Sequence, residues 1–131
     1  MSTVDVFNRY GAALAGGDMA ALSQVFAEDI VWHQPGGNVL SGSHEGRDAV
    51  FALLGRFAEI SGETFSLTVG DVVSAGELVA ATTHFTATRP GGAKLDQSGV
   101  DIFRIIGDQI VEVWLISEDQ SAEDEFWGIA E

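Results

Sequence analysis

The 131-residue chain contains no cysteine. Disulfides, thiolate zinc sites and cysteine nucleophiles are therefore excluded. Basic residues are scarce: 6 Lys and Arg stand against 20 Asp and Glu, a formal net charge of −14. Such a surface repels DNA, RNA and anionic membranes, so neither nucleic acid nor membrane is expected as a partner. No apolar run approaches the roughly 20 residues needed to span a bilayer. Met1-Ser2-Thr3-Val4-Asp5 lacks the basic region and apolar run of a secretory leader, which makes a cytoplasmic location the expectation. Glycine-rich phosphate loops, dinucleotide fingerprints, Gly-x-Ser-x-Gly elbows and His-Glu-x-x-His helices are all missing. The three histidines, His33, His44 and His84, are spaced too irregularly to read as a metal site, and no metal or cofactor is expected. A set of His33, His84 and one carboxylate stands as the alternative.

What is present is globular. Apolar residues make up 46% of the chain and charged residues 20%. The length suits a single domain over residues 1–131. Thr3 to Leu14 carries Val6, Phe7, Tyr10 and Leu14 at helical spacing, with Gly16-Gly17 as its stop. Asp18 caps a short second helix, Met19 to Phe26. Ile30 to His33 reads as a strand ended by Pro35-Gly36-Gly37, and Arg47 to Ala58 as a third helix with Val50, Phe51, Leu54 and Phe57 in one stripe. The connection between them, Val39 to Gly46, has room for a short hairpin.

The period then changes. Phe65–Val73, Leu78–Thr88, Leu95–Ile106 and Ile110–Ser117 are rich in Val, Ile, Thr and Phe, with short turns between them. They predict an antiparallel meander covered on one face by the earlier helices, an α+β architecture. A last helical segment runs from Ser121 to Trp127 in a strongly acidic C-terminal stretch, Glu118 to Glu131.

A two-residue turn at Gly107-Asp108 would place Asp101 opposite Trp114 and Phe103 opposite Glu112. One face then carries Asp101, Phe103, Glu112, Trp114 and Ile116, with Thr82 and His84 joining from the preceding strand. A carboxylate among aromatic rings suits a polar handle in an apolar cavity. Desolvation there raises its pKa. His33, at the end of an apolar strand, reads as a proton-transfer group at the pocket rim. Tyr10, on the first helix, reads as a hydrogen-bond donor. Trp32, Phe51, Phe57, Phe103 and Trp114 supply wall material, and Gln34, Thr82 and His84 the remaining ligand contacts.

Several phrases in this order carry a family resemblance. They are Arg9-Tyr10, Gly17-Asp18-Met19-Ala20-Ala21-Leu22, Phe26-Ala27-Glu28-Asp29, Gly46-Arg47-Asp48-Ala49-Val50, Asp101-Ile102-Phe103-Arg104 and Gly107-Asp108-Gln109-Ile110-Val111-Glu112. Over nearly its full length the chain resembles the SnoaL-like and ketosteroid-isomerase-like proteins of the nuclear transport factor 2 superfamily. The Trp32-His33-Gln34-Pro35-Gly36 segment and the closing Asp119-Gln120 with Phe126-Trp127 look like one subgroup of it. The resemblance implies a cone-shaped, strongly curved antiparallel sheet wrapped around N-terminal helices, a deep hydrophobic pocket, and a homodimer packed through the outer sheet face. Against ketosteroid isomerase, Tyr10 matches the oxyanion-side tyrosine and Asp101 the oxyanion-side aspartic acid. The place of the aspartate base is held by Gln34, and glutamine is no general base.

The leading expectation is a small enzyme. His33 and Asp101, helped by Tyr10, would move protons on a hydrophobic, oxygen-bearing substrate in an isomerisation, cyclisation, dehydration or hydration. The alternatives are a non-catalytic binder of a hydrophobic small molecule, motivated by Gln34, and a dimeric interaction module with a cationic partner, motivated by the charge.

Overall fold

A computed structural model describes residues 2–130; Met1, and Glu131 of the acidic stretch, lie outside them. Helix α1 spans Thr3–Ala15. Its cap is Ser2: the Ser2 hydroxyl accepts from the Asp5 N–H at 3.1 Å while the Asp5 carboxylate accepts from the Ser2 N–H at 3.1 Å. Asp18 caps α2, Met19–Val25, by accepting from the Ala21 N–H at 3.0 Å. The chain passes straight from α2 into β1, Phe26–Gln34, which starts four residues before the hydrophobic run of Ile30 to His33 announces it. Next come β2 (Gly42–Glu45), α3 (Arg47–Ile60), β3 (Ser66–Ala75), β4 (Leu78–Thr88), β5 (Lys94–Ile106), β6 (Gln109–Ser117) and α4 (Gln120–Trp127).

The six strands form one sheet in the order β2-β1-β6-β5-β4-β3. Strands β3 to β6 are the antiparallel meander expected from their short turns. The early strand β1 adds to β6 in parallel, a long-range pairing that no local pattern signals. This mixed α+β sheet carries α1 and α3 on one face, as the resemblance implies.

The register of the last hairpin departs from the sequence expectation. Gly107 and Asp108 do form a two-residue turn, both with left-handed backbone (φ 57° and 66°), so Ile106 pairs with Gln109. A bulge follows at once. Ile105 pairs with Ile110 but Arg104 pairs with Glu112, leaving Val111 as the extra residue. From there every partner is shifted by one: Phe103 faces Val113, Ile102 faces Trp114 and Asp101 faces Leu115. Trp114 and Glu112 thus lie on the face opposite Asp101, because side chains alternate along a strand. The β4–β5 register shifts the same way. Ala81 pairs with Asp101 and Thr83 with Gly99, which sends Thr82 and His84 to the outer face.

The inner face packs on α1 through an aromatic cluster. Phe103 is fully buried, with ring centroids 5.2 Å from Phe7 and 5.1 Å from Tyr10. Phe26 extends the cluster, 5.9 Å from Tyr10 and 6.4 Å from Trp32. Such edge-on contacts add to the area term for burying each ring. Phe103→Ala should lower the unfolding free energy by about 3–5 kcal/mol, measured by urea denaturation; a loss under about 1 kcal/mol would show that this cluster is not the core.

Candidate functional site

Between α1, α3 and the inner sheet face lies a cavity of about 570 Å³. Its wall is mainly apolar, drawn from Phe7, Leu14, Leu54, Phe57, Phe65 and Leu115 among others. Its polar lining includes Tyr10, Gln34, Thr83, Asp101 and Glu123, beside Glu63, Ser66 and Ser117. The first five come from different elements, so the site exists only once the sheet has closed against α1 and α4.

Asp101 stands on β5 between Ala81 of β4 and Leu115 of β6. No side chain or backbone group among the described residues hydrogen-bonds its carboxyl. Burial pushes its pKa up to about 7, and the Glu123 carboxylate adds to the rise. Near neutrality the group is therefore split between acid and base. Tyr10, 5% exposed, approaches from α1. Burial raises its pKa well above the usual phenol value, and Asp101 raises it further, so it stays a protonated donor.

Glu123 is 5% exposed on α4. Its Oε1 accepts from the Ser117 hydroxyl at 2.8 Å and from the Gln120 amide at 3.0 Å. Its Oε2 has no partner among the described residues. Gln97 pins the start of α4 to β5: its amide donates to the Asp119 carbonyl at 3.0 Å and its carbonyl accepts from the Asp119 N–H at 2.9 Å. Thr83 adds a buried hydroxyl with no partner. Gly99 beside it must be glycine, since a Cβ there would sit 2.5 Å from the Ile116 carbonyl oxygen.

Of the residues singled out in the sequence, Tyr10, Asp101, Trp32, Gln34 and Phe57 line the cavity. Phe103 and Phe51 stand behind its wall: Phe103 in the α1 cluster, and Phe51 against Phe26 at 5.8 Å. The expected place of His33 at the rim is corrected. Trp32 and Gln34 point inward, so His33 between them points outward. There its Nε2 meets the Glu112 carboxylate at 2.6 Å, its Nδ1 meets the Ser43 hydroxyl at 3.1 Å, and its ring stacks on Trp114 at 5.7 Å. Trp114 is corrected with it, as are Thr82, which accepts from the Asp71 N–H at 2.8 Å, and His84, which pairs with Asp96 at 2.6 Å. His33 and His84 each hold their own carboxylate, on different strands. Among the described residues no group of three His, Asp or Glu side chains is placed to hold a metal ion.

Glu123 escaped the sequence reading because the acidic C-terminal stretch looks like a solvated face. A signal exists nonetheless: Glu123 shares helical spacing with Phe126 and Trp127, both buried. Thr83 went unnoticed because the register slip hid it behind Thr82.

A family model described as a SnoaL-like domain matches residues 7–113. The chain belongs to the SnoaL-like family. It is 34% identical over 125 residues to the uncharacterized protein Rv0034 of Mycobacterium tuberculosis, covering 95% of each chain. A protein of unknown function with a cystatin-like fold from Xanthomonas campestris is 41% identical, with a TM-score of 0.93 over 98% of this chain and 99% of that one. IdmH, a putative polyketide cyclase from Streptomyces antibioticus, shares the SnoaL-like chain's fold at a TM-score of 0.75 over 90% of this chain and 93% of its own, with 23% identity.

The raised pKa of Asp101 has a stability consequence. Its native value lies above the unfolded one, so the native state holds the proton more tightly. Its contribution is full below about pH 4 and is lost as the pH rises through about 7. Asp101→Asn should flatten that decline and stabilise the protein by a few kcal/mol at pH 8, read from urea midpoints across pH. A wild-type stability that does not fall over this window would place the carboxyl in water.

Proposed function

We propose that this SnoaL-like protein binds a neutral, hydrophobic, oxygen-bearing small molecule in the cavity and performs acid–base chemistry on it. The single observation that carries the reading is the Asp101 carboxyl, half-buried on the wall of a mainly apolar cavity, without a hydrogen-bond partner among the described residues and with its pKa raised to about 7. A group kept at that cost to stability is suited to exchange a proton with a ligand. Asp101 in its acid form and the Tyr10 hydroxyl would donate to a carbonyl or hydroxyl oxygen and hold the charge that develops there. Glu123, fixed through Oε1, offers Oε2 as the proton acceptor. Two carboxyl groups in unlike surroundings are a natural acid and base. Isomerisation, aldol-type cyclisation and dehydration share this need, and the likeness to a putative polyketide cyclase is in keeping with it. His33 has no part in the chemistry, since it lies across the sheet from the cavity.

A second reading is a binder without turnover. It is favoured by Gln34, which the resemblance to ketosteroid isomerase sets at the place of the base. Native mass spectrometry of freshly purified protein would identify a retained molecule, and turnover of that molecule separates the two readings. Asp101→Asn and Glu123→Gln should each lower the rate by roughly 10²–10⁴-fold, and Asp101→Asn should remove an inflection near pH 7 from the pH–rate profile. His33→Ala should stay within about twofold of wild type. Binding without turnover would leave only the binder, and equal rates in all four proteins would remove the roles given to Asp101 and Glu123.

We also propose that the outer sheet face pairs with a second copy. Ile102 and Trp114 lie there half-buried, with Val73 at 65% and Ile116 at 57% exposure around them. Each copy carries −14 charges, so association should tighten as salt screens the repulsion. Sedimentation should give twice the chain mass, and Ile116→Glu should shift it toward a single chain. A monomer at every salt concentration would refute the pairing.

A further inference from the structure

Gln34 is a buried amide that the acid–base reading leaves without a task. It is 4% exposed and lies at the end of β1, on the cavity wall. The Trp32 indole Nε1 donates to its Oε1 at 3.1 Å. An indole N–H can only donate, so this bond decides which end of the amide is oxygen. The amide NH2 must point the other way. No acceptor among the described residues meets it. Nor is it sealed off: the partnerless side-chain atoms shut away from any probe are Thr83 Oγ1 and Trp127 Nε1. The NH2 therefore opens on the cavity.

Its place relative to Asp101 follows from the sheet. His33 pairs with Trp114, so Gln34, one step beyond, stands beside Leu115. Leu115 in turn pairs with Asp101. All three side chains share the inner face, in one row across three strands. The Gln34 and Asp101 backbones are two strand spacings apart, roughly 10 Å. Across that gap a polar donor faces a proton-exchanging carboxyl, with only the Leu115 side chain between them.

We propose that Gln34 is a specificity-determining residue that donates its amide NH2 to a second oxygen of the bound molecule, while Asp101 and Tyr10 meet the first. The inference rests on the pocket reading above and narrows it. The ligand class is a compact apolar body with two oxygen functions on opposite sides, the one at Gln34 a hydrogen-bond acceptor such as a ketone, quinone or ester carbonyl. The Trp32 bond enforces this preference, because turning the amide over would set N–H against N–H. A ligand with only donors at that end would leave buried groups unpaired, which is costly.

The probes are para-hydroxyacetophenone and para-isopropylphenol. They match in shape and share the hydroxyl, but only the first has a carbonyl. Titration calorimetry on wild type and Gln34→Met gives four affinities. The ratio of the acetyl to the isopropyl probe should fall roughly threefold to tenfold in Gln34→Met, through loss on the acetyl probe alone. An unchanged ratio, or equal loss of both probes, would overturn the role of Gln34 while leaving the pocket reading intact. Failure of both probes to bind wild type would sink the pocket reading and this inference with it. Should Gln34→Met not fold, the side-chain NH2 resonances of Gln34 in the wild-type protein decide. A downfield shift with the acetyl probe and not with the isopropyl probe supports the contact, and the same response to both probes overturns it.

Discussion

The chemistry of this sheet turns on one extra residue. Val111 bulges out of β6 just after the Gly107-Asp108 turn, and every side chain of β6 beyond it changes face relative to β5. Without the bulge, Asp101 would share its face with Trp114 and Glu112, a wide polar and aromatic surface. With it, Asp101 shares its face with Leu115 and Val113. That environment is apolar enough to hold a carboxyl half-protonated near neutrality. The same bulge places Gln34 in the row of Asp101, because β1 takes its register from β6. It also sends His33 and Trp114 together to the outer surface, where they stack. A bulge re-aims whole strands, and here it sorts the titratable groups into a cavity set and an outer set.

Legibility in the sequence followed the range of the interactions. The helices were readable because their signals are local: Asp18 as a cap, glycines after α1, a stripe at three- and four-residue spacing. The meander was readable because short turns leave antiparallel neighbours as the only option. The parallel addition of β1 to β6 joins segments some 80 residues apart, and β1 itself starts before its hydrophobic run, so neither had a local mark. The position of Tyr10 and Asp101 on the cavity wall is legible because each is a lone polar group in an apolar stripe, a pattern that survives a register error. His33 was misplaced for the converse reason. It sits between Trp32 and Gln34, and period-two alternation already implied that only one of the pair His33 and Gln34 could face inward. Glu123 was lost in the acidic background, although Phe126 and Trp127 marked the inward face of its helix.

The surroundings of the cavity show how a partnerless carboxyl is tolerated. Asp101 lies two residues from Phe103, which is locked between Phe7 and Tyr10. The cost of desolvating the Asp101 carboxylate, a few kcal/mol above pH 7, is comparable to the burial of one large aromatic side chain. The cluster therefore acts as the scaffold that holds the strained electrostatics open, in the sense that stability lost at a site is offset in the core beside it.

The same logic bears on Gln34. An amide can satisfy a buried indole and still present a donor, which a carboxylate at that position cannot do. Where a base would leave this end of the cavity negatively charged, close to Asp101 and Glu123, the amide leaves it neutral. A carboxylate at position 34 would raise the pKa of Asp101 further and favour its acid form. With Gln34 in place, the electrostatic partner of Asp101 within the cavity is Glu123, the other cause of its shift besides burial. An amide at position 34 thus keeps Asp101 within reach of both protonation states. On the proposed reading, recognition of a second oxygen by Gln34 and proton exchange at Asp101 would be two uses of one row of the sheet, held in register by the bulge at Val111.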